Sequence, residues 1–161
     1  MHVHRLSPSD GEKAVHALRL LKSNAATSRP PAEQQRAAER FLSSPSNLFL
    51  LATEGNAPIG FAIAYLLDRA GEPDPMVLLY EIEVSPAHRR RGAARDMIRH
   101  LRKIGGGVHA VKMWTLTDEE NAAACALYHD GGALHSKAAR LFEWPRSAFG
   151  RVPDGPRPPA A

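Results

Sequence analysis

Glu81 and Glu83 stand two residues apart in the run Tyr80-Glu81-Ile82-Glu83-Val84. The apolar residues between them make that run a strand, and residues i and i+2 of a strand share a face. Two carboxylates on one face favour proton uptake by one of them, which is what a general base requires. Ser85-Pro86-Ala87-His88 and then Arg89-Arg90-Arg91-Gly92-Ala93-Ala94 follow directly. This basic turn, opening a helix on small residues, is suited to a diphosphate. Backbone N–H groups converge after the strand end, and the helix adds the positive end of its dipole. Gly92, Ala93 and Ala94 leave a ligand room to approach the backbone, while Arg89, Arg90 and Arg91 neutralise its charge.

The elements that must hold these residues can be read from periodicity. Ala14, Val15, Leu18 and Leu21 form one stripe of a helix over Glu12 to Lys22, and Pro31 suits the first turn of a second helix reaching Leu42. Asn47 to Thr53 predicts a strand, Glu54 to Pro58 a turn, and Ile59 to Leu67 the return strand. Asp68 to Pro75 reads as a polar loop and Met76 to Val84 as the carboxylate strand. Ala94, Met97, Ile98, Leu101 and Ile104 give the next helix an apolar face, ended by Gly105-Gly106-Gly107. A strand over Val108 to Leu116 follows. Thr117 to Glu120 reads as a capping box for a helix running from about Asp118 to near Gly131. Leu134 to Trp144 predicts a last strand. The order predicts a mixed α/β sheet with helices on both sides.

The chain has 161 residues, enough for one domain with a real core. We expect that domain to occupy residues 1–145, with 146–161 a flexible tail rich in Pro and Arg. No apolar run approaches the ~18 residues of a membrane span. A single cysteine, Cys125, excludes an internal disulfide and fits a reducing compartment. Met1 to Arg5 lacks the apolar core of a signal peptide. A cytoplasmic protein is the expectation. The net charge of +4 lies partly in the tail and partly in the turn at residues 88–95, so the composition does not call for nucleic acid. The histidines lack ligand-like spacing, with His2 and His4 expected at a mobile end, and no metal is expected.

A second run, Asn121-x-x-Ala124-x-x-Leu127-Tyr128-x-x-x-Gly132, lies downstream of the basic turn. The two runs together resemble the GNAT acetyltransferase superfamily, whose [Q/R]-x-x-G-x-[G/A] motif is matched by Arg89 to Ala94. Gly60 to Leu67, Glu72-Pro73, Tyr80 to Ser85 and His88-Arg89-Arg90 narrow the likeness to the aminoglycoside 3-N-acetyltransferases of GNAT type. That match runs from about Leu48 to Trp144. Glu81 stands where that subfamily favours Asp, and Glu83 where it has a small residue.

The resemblance implies a GNAT-type mixed, mostly antiparallel central sheet, flanked by helices and splayed at the cofactor site. It implies direct transfer from acetyl-CoA to an amine, most readily the 3-amino group of an aminoglycoside and hence antibiotic resistance. Glu81 would be the general base, with Glu83 the alternative, and Tyr128 the acid that protonates the departing thiolate. Acetyl-CoA would contact the backbone at Ile82 and Val84, the turn from Arg89 to Ala94, Asn121 and Tyr128. Asn121 reads equally as part of its helix start. A cationic substrate would meet Glu81, Glu83, Asp118, Glu119, Glu120 and Glu143, with Asp68, Glu72 and Asp74 as further loop acids. Cys125 is expected to be a buried apolar thiol rather than a nucleophile. A homodimer is the weaker expectation from the superfamily. Two other readings stay open: an acceptor that is a polyamine, amino acid or protein amine, and a non-catalytic acyl-CoA-binding module.

Overall fold

The computed structural model describes residues 1–22 and 29–135. The expected boundary after residue 145, the tail, Glu143 and nearly all of the expected last strand lie outside them. Five strands form one sheet in the order β1-β2-β3-β4-β5: β1 His2–Arg5, β2 Asn47–Glu54, β3 Ala57–Arg69, β4 Glu72–Val84 and β5 Met113–Trp114. Neighbours are antiparallel except β4 and β5, which run parallel. The helices are α1 Gly11–Leu21, α2 Pro31–Ser43, α3 Ala93–Gly107 and α4 Ala122–Asp130.

The apolar run of β2 is buried on both faces. Leu48, Leu50 and Ala52 join Ala62, Ala64, Val77 and Leu79 under Met97, Ile98 and Leu101 of α3. Phe49, Leu51 and Phe61 point the other way, against Ala14, Ala17 and Leu21 of α1 and Leu42 of α2. Continuous burial of this kind is what a central strand covered by helices on both sides requires. Asp10 starts α1 by accepting from the Ser7 backbone N–H at 2.9 Å and from Lys13 at 2.6 Å. The hydrogen bond from Lys13 is the main reason its carboxyl lies well below the usual range.

The Asp68 to Pro75 stretch is not the expected loop. β3 and β4 continue through it to a tight turn at Ala70-Gly71, stitched by Arg69 to the Asp74 carbonyl at 2.9 Å. Pro75 faces the β5 side, where it meets the neighbouring segment through its carbonyl, which accepts the Val111 N–H at 3.0 Å, and not through the N–H it lacks. The Val108 to Leu116 strand is reduced to Met113–Trp114, which pairs only with Val77 and Leu78. The helix expected from Asp118 begins later, at Ala122, because Asn121 takes the cap: its side chain accepts the Ala124 N–H at 3.1 Å.

His2 and His4 do not form a mobile end. They belong to β1, paired opposite Thr53 and Leu51. The His4 Nδ1 atom is buried with no hydrogen-bond partner, and burial, then His2, then Lys13 pull its pKa below the ordinary value. A depressed histidine pKa means the unfolded chain binds the extra proton more readily. His4 therefore contributes stability that is present above about pH 6.5 and lost as pH falls through the lowered value. We expect His4→Gln to reduce the fall in Tm between about pH 7.5 and about pH 5.5 relative to the parent. An equal fall in both proteins would contradict this assignment.

Candidate active site

The register of β4 against β3 breaks between two pairs: Ala64 faces Leu79, and Ile63 faces Glu81. Tyr80 is the extra residue, a β-bulge, and it reverses the parity of the strand. Before it Val77 and Leu79 face α3; after it Ile82 and Val84 do, while Glu81 and Glu83 face the α1 and α2 side opposite Ile63 and Phe61. The two carboxylates share a face, each with its own cation. Glu81 Oε2 lies 2.9 Å from Lys22 Nζ, just past the end of α1. Glu83 Oε1 lies 3.1 Å from Arg89 Nη2.

The same bulge fixes which backbone groups of β4 are free. Ser85 donates to the Ile59 carbonyl at 2.9 Å, so Ser85, Glu83 and Glu81 turn their polar groups toward β3. Ile82 and Val84 turn theirs to the opposite edge, where β5 has already ended. Pairing with β5 stops at Leu78, and the sheet is open beyond it. Gly60 lets β3 lie this close to β4: a Cβ there would stand 2.8 Å from the Glu83 carbonyl and 3.3 Å from Met97 Cε.

The turn after β4 has two left-handed residues, Arg90 at φ 63° and Gly92 at φ 92°. Gly92 caps α3, and its carbonyl takes the Asp96 N–H at 2.9 Å. The N–H groups of Ala93, Ala94 and Arg95 are left without intrahelical partners. The expected arginines are not all turned to a ligand. Arg89 Nε donates to the Val84 carbonyl at 3.1 Å as well as holding Glu83. Glu54, at the end of β2, lies 3.7 Å from Arg91 and 3.6 Å from His88. Arg90 makes no ion pair with another described residue, and space beyond Gly92 is empty.

Tyr128 is half-buried on α4, packed against the cluster under α3. It lies on the α3 side of the sheet, the face opposite Glu81. Helix α4 is tied to α3 by Arg95 to Asp130 at 2.9 Å and Arg102 to the Gly131 carbonyl at 3.2 Å. Asn121 spends its side-chain oxygen on the helix cap. Asp118, Glu119 and Glu120 are exposed in the segment between β5 and α4. Asp68, Glu72 and Asp74 sit at the far hairpin tip. Along β4, Glu72 is about 30 Å from Glu81, so these acids do not reach it. Cys125 is half-buried rather than buried, its Sγ 3.9 Å from the Asp118 carbonyl.

Two groups were not legible as site residues in the sequence. Lys22 and Glu54 are ordinary surface residues by composition, and only the fold brings them to Glu81 and to the basic turn. A third feature is an aromatic ladder. Phe41 meets Tyr65 edge-on at 5.8 Å between ring centroids, and Tyr65 meets Tyr80 at 5.7 Å. Burial pushes the Tyr65 phenol up, helped by Tyr80 and by the charge of Glu81.

Residues 15–132 match the model of the Acetyltransferase (GNAT) family. No curated protein is similar enough to count as a match. Among solved structures, an aminoglycoside acetyltransferase HMB0005 from an uncultured soil metagenomic sample is 26% identical, with a TM-score of 0.79 over 89% of this chain and 97% of that one. The aminoglycoside acetyltransferase meta-AAC0020, also from an uncultured soil metagenomic sample and solved with sisomicin, is 16% identical with a TM-score of 0.80 over 89% and 95%. Aminoglycoside N-acetyltransferase AAC(6')-Iy, solved with CoA, is 20% identical with a TM-score of 0.68 over 89% and 99%. The low identities of the last two speak to the fold alone. The family match covers most of the chain, and among the described residues no helix is long and apolar enough to cross a membrane. On that match the chain belongs to the acetyltransferase (GNAT) family.

Proposed function

We propose that this chain moves the acetyl group of acetyl-CoA directly to an amine of an aminoglycoside. The observation that carries the reading is the open edge of β4, with Glu81 on one face and the basic turn at its end. The residues fit the cosubstrate. In this reading Ile82 and the Val84 N–H pair with pantetheine amides as an added strand would. The Val84 carbonyl is taken by Arg89. Arg90, Gly92 and the free N–H groups of Ala93 and Ala94 suit the diphosphate. Arg89 braces the turn against the strand, and Arg91 is shared with Glu54.

In this reading Glu81 removes a proton from the acceptor ammonium, directly or through one water. The nitrogen lone pair then attacks the thioester carbonyl carbon, forming the C–N bond. The C–S bond breaks, Tyr128 donates a proton to the thiolate from the other face of the sheet, and the second nitrogen proton leaves through water, from which Tyr128 is reprotonated, giving the neutral amide. Asp118, Glu119 and Glu120 supply negative potential at the rim, which favours approach of a polycation. The likeness to the 3-N-acetyltransferases favours the 3-amino group, whereas one structural neighbour carries a 6' designation. The proposed catalytic unit is residues 1–145, acting in the cytoplasm as a homodimer.

The test is release of free thiol from acetyl-CoA with aminoglycosides, polyamines and short peptides, followed by NMR of the product. Turnover on aminoglycosides supports the reading, and the product spectrum assigns the position. Turnover confined to polyamines or peptides would move the acceptor to another amine class. CoA binding without turnover on any amine would leave a non-catalytic binding module. A further outcome is expected at Gly92. With φ at 92°, Gly92→Ala forces a side chain into a left-handed conformation costing about 1–2 kcal/mol. The turn relieves that strain by refitting, so CoA affinity should fall by roughly tenfold in calorimetry. Unchanged affinity would remove the turn from the binding site.

A further inference from the structure

Of the two carboxylates on β4, Glu83 is held by a guanidinium of its own turn and Glu81 by a primary ammonium from another layer. That ammonium, Lys22 Nζ, is the same chemical group as a protonated amine acceptor. It sits 2.9 Å from Glu81 Oε2, the distance of a charge-assisted hydrogen bond. The Lys22 backbone is anchored, its N–H bonded to the Leu18 carbonyl at 3.1 Å, yet its side chain is 40% exposed. A long stem half in solvent can swing away at small cost. The wall beside Glu81 completes the picture. Tyr80 is 64% exposed and stacked edge-on with Tyr65. An open aromatic face next to a carboxylate is suited to an alkylammonium or aminosugar cation.

We propose that Lys22 is a resident cation occupying the acceptor's ammonium position on Glu81, and that acceptors enter by displacing it, seating their cation against Tyr80. This deepens the proposed function and rests on its reading of Glu81 as the residue that receives the amine. Displacement handicaps every acceptor by the strength of one partly exposed ion pair. A molecule with several ammonium groups recovers that loss through its other contacts, whereas a simple diamine does not. Lys22 thus sets a common threshold of affinity that any acceptor must exceed, and takes no part in bond making.

The experiment is calorimetric binding of sisomicin and of putrescine to the CoA-loaded protein, in the parent, Lys22→Met, Lys22→Arg and Lys103→Met. Lys103 is exposed on α3 and controls for a general change in charge. Lys22→Met should tighten both ligands by the same factor, about two- to fivefold, the range expected when a partly exposed pair no longer competes. Lys22→Arg and Lys103→Met should not tighten either. In turnover, Lys22→Met should lower the acceptor KM and leave kcat and the acetyl-CoA KM in place. Equal or weaker binding in Lys22→Met, equal tightening in Lys103→Met, or a loss confined to kcat would each overturn the proposal. No binding of either cation by any of the proteins would do the same. Tightened binding without turnover on any amine, in the parent or the variant, would sink the transferase reading and leave the displaced-cation site standing.

Discussion

Glu81→Gln should lower kcat/KM for the acceptor by about 10²- to 10⁴-fold, the range for loss of a positioned general base, while CoA affinity stays unchanged. The substitution keeps the shape of the side chain and an oxygen that Lys22 can still donate to, so the face of β4 should stay packed as it is. What it removes is the capacity to take a proton. Glu83→Gln is the informative partner. Glu83 is tied to Arg89, which also holds the Val84 carbonyl, so its loss loosens the turn and should show first as a higher acetyl-CoA KM. Steady-state thiol release, with calorimetry of CoA for both variants, separates the two roles. A large kcat loss in Glu83→Gln beside an active Glu81→Gln would exchange the assignments.

The largest expected effect on stability is at Phe61. Its side chain is fully buried, packs on Phe49 at 5.6 Å between ring centroids, and meets the inner faces of α1 and α2. Phe61→Ala should cost about 3–5 kcal/mol through lost burial and the cavity left behind. That is a large share of the roughly 5–15 kcal/mol that holds a domain folded. The expected fall in Tm is about 10 °C or more. Phe61 also faces Glu83 across the β3–β4 ladder, so the survivors should lose acetyl-CoA affinity as well. Urea unfolding measures the first effect. A loss below about 1 kcal/mol would mean the layer between β3 and α1 repacks freely.

Helices α1 and α3 were legible because their apolar stripes are regular. Met97, Ile98 and Leu101 were named from spacing alone, and all three lie under the sheet. The shared face of Glu81 and Glu83 was legible for the same reason, since a strand has a period of two. Tyr80 was not read as a bulge, although a trace of it was present: the inward apolar residues pass from Val77 and Leu79 to Ile82 and Val84. The hairpin tip was misread because Gly71, Pro73 and Pro75 signal a loop wherever ladder bonds are needed on both sides. Here Pro75 meets its neighbour on the β5 side through its carbonyl alone. Thr117 to Glu120 offered a plausible cap, but Asn121 competes for the same helix start and holds it. The Lys22–Glu81 pair had no local signal at all, because it exists only once α1 lies across β4.

The extra residue at Tyr80 also divides β4 into two halves with different obligations. The half before it answers to the packing under α3; the half after it sets which groups face the reaction and which face the cosubstrate. Removing that one residue would turn Glu81 and Glu83 inward onto Met97, or else push Val77 and Leu79 out into water. A single-codon deletion here would therefore act as a change of the whole strand. Substitutions at Glu81 and Glu83, by contrast, leave that core in place, whereas Ile82 and Val84 still pack under α3.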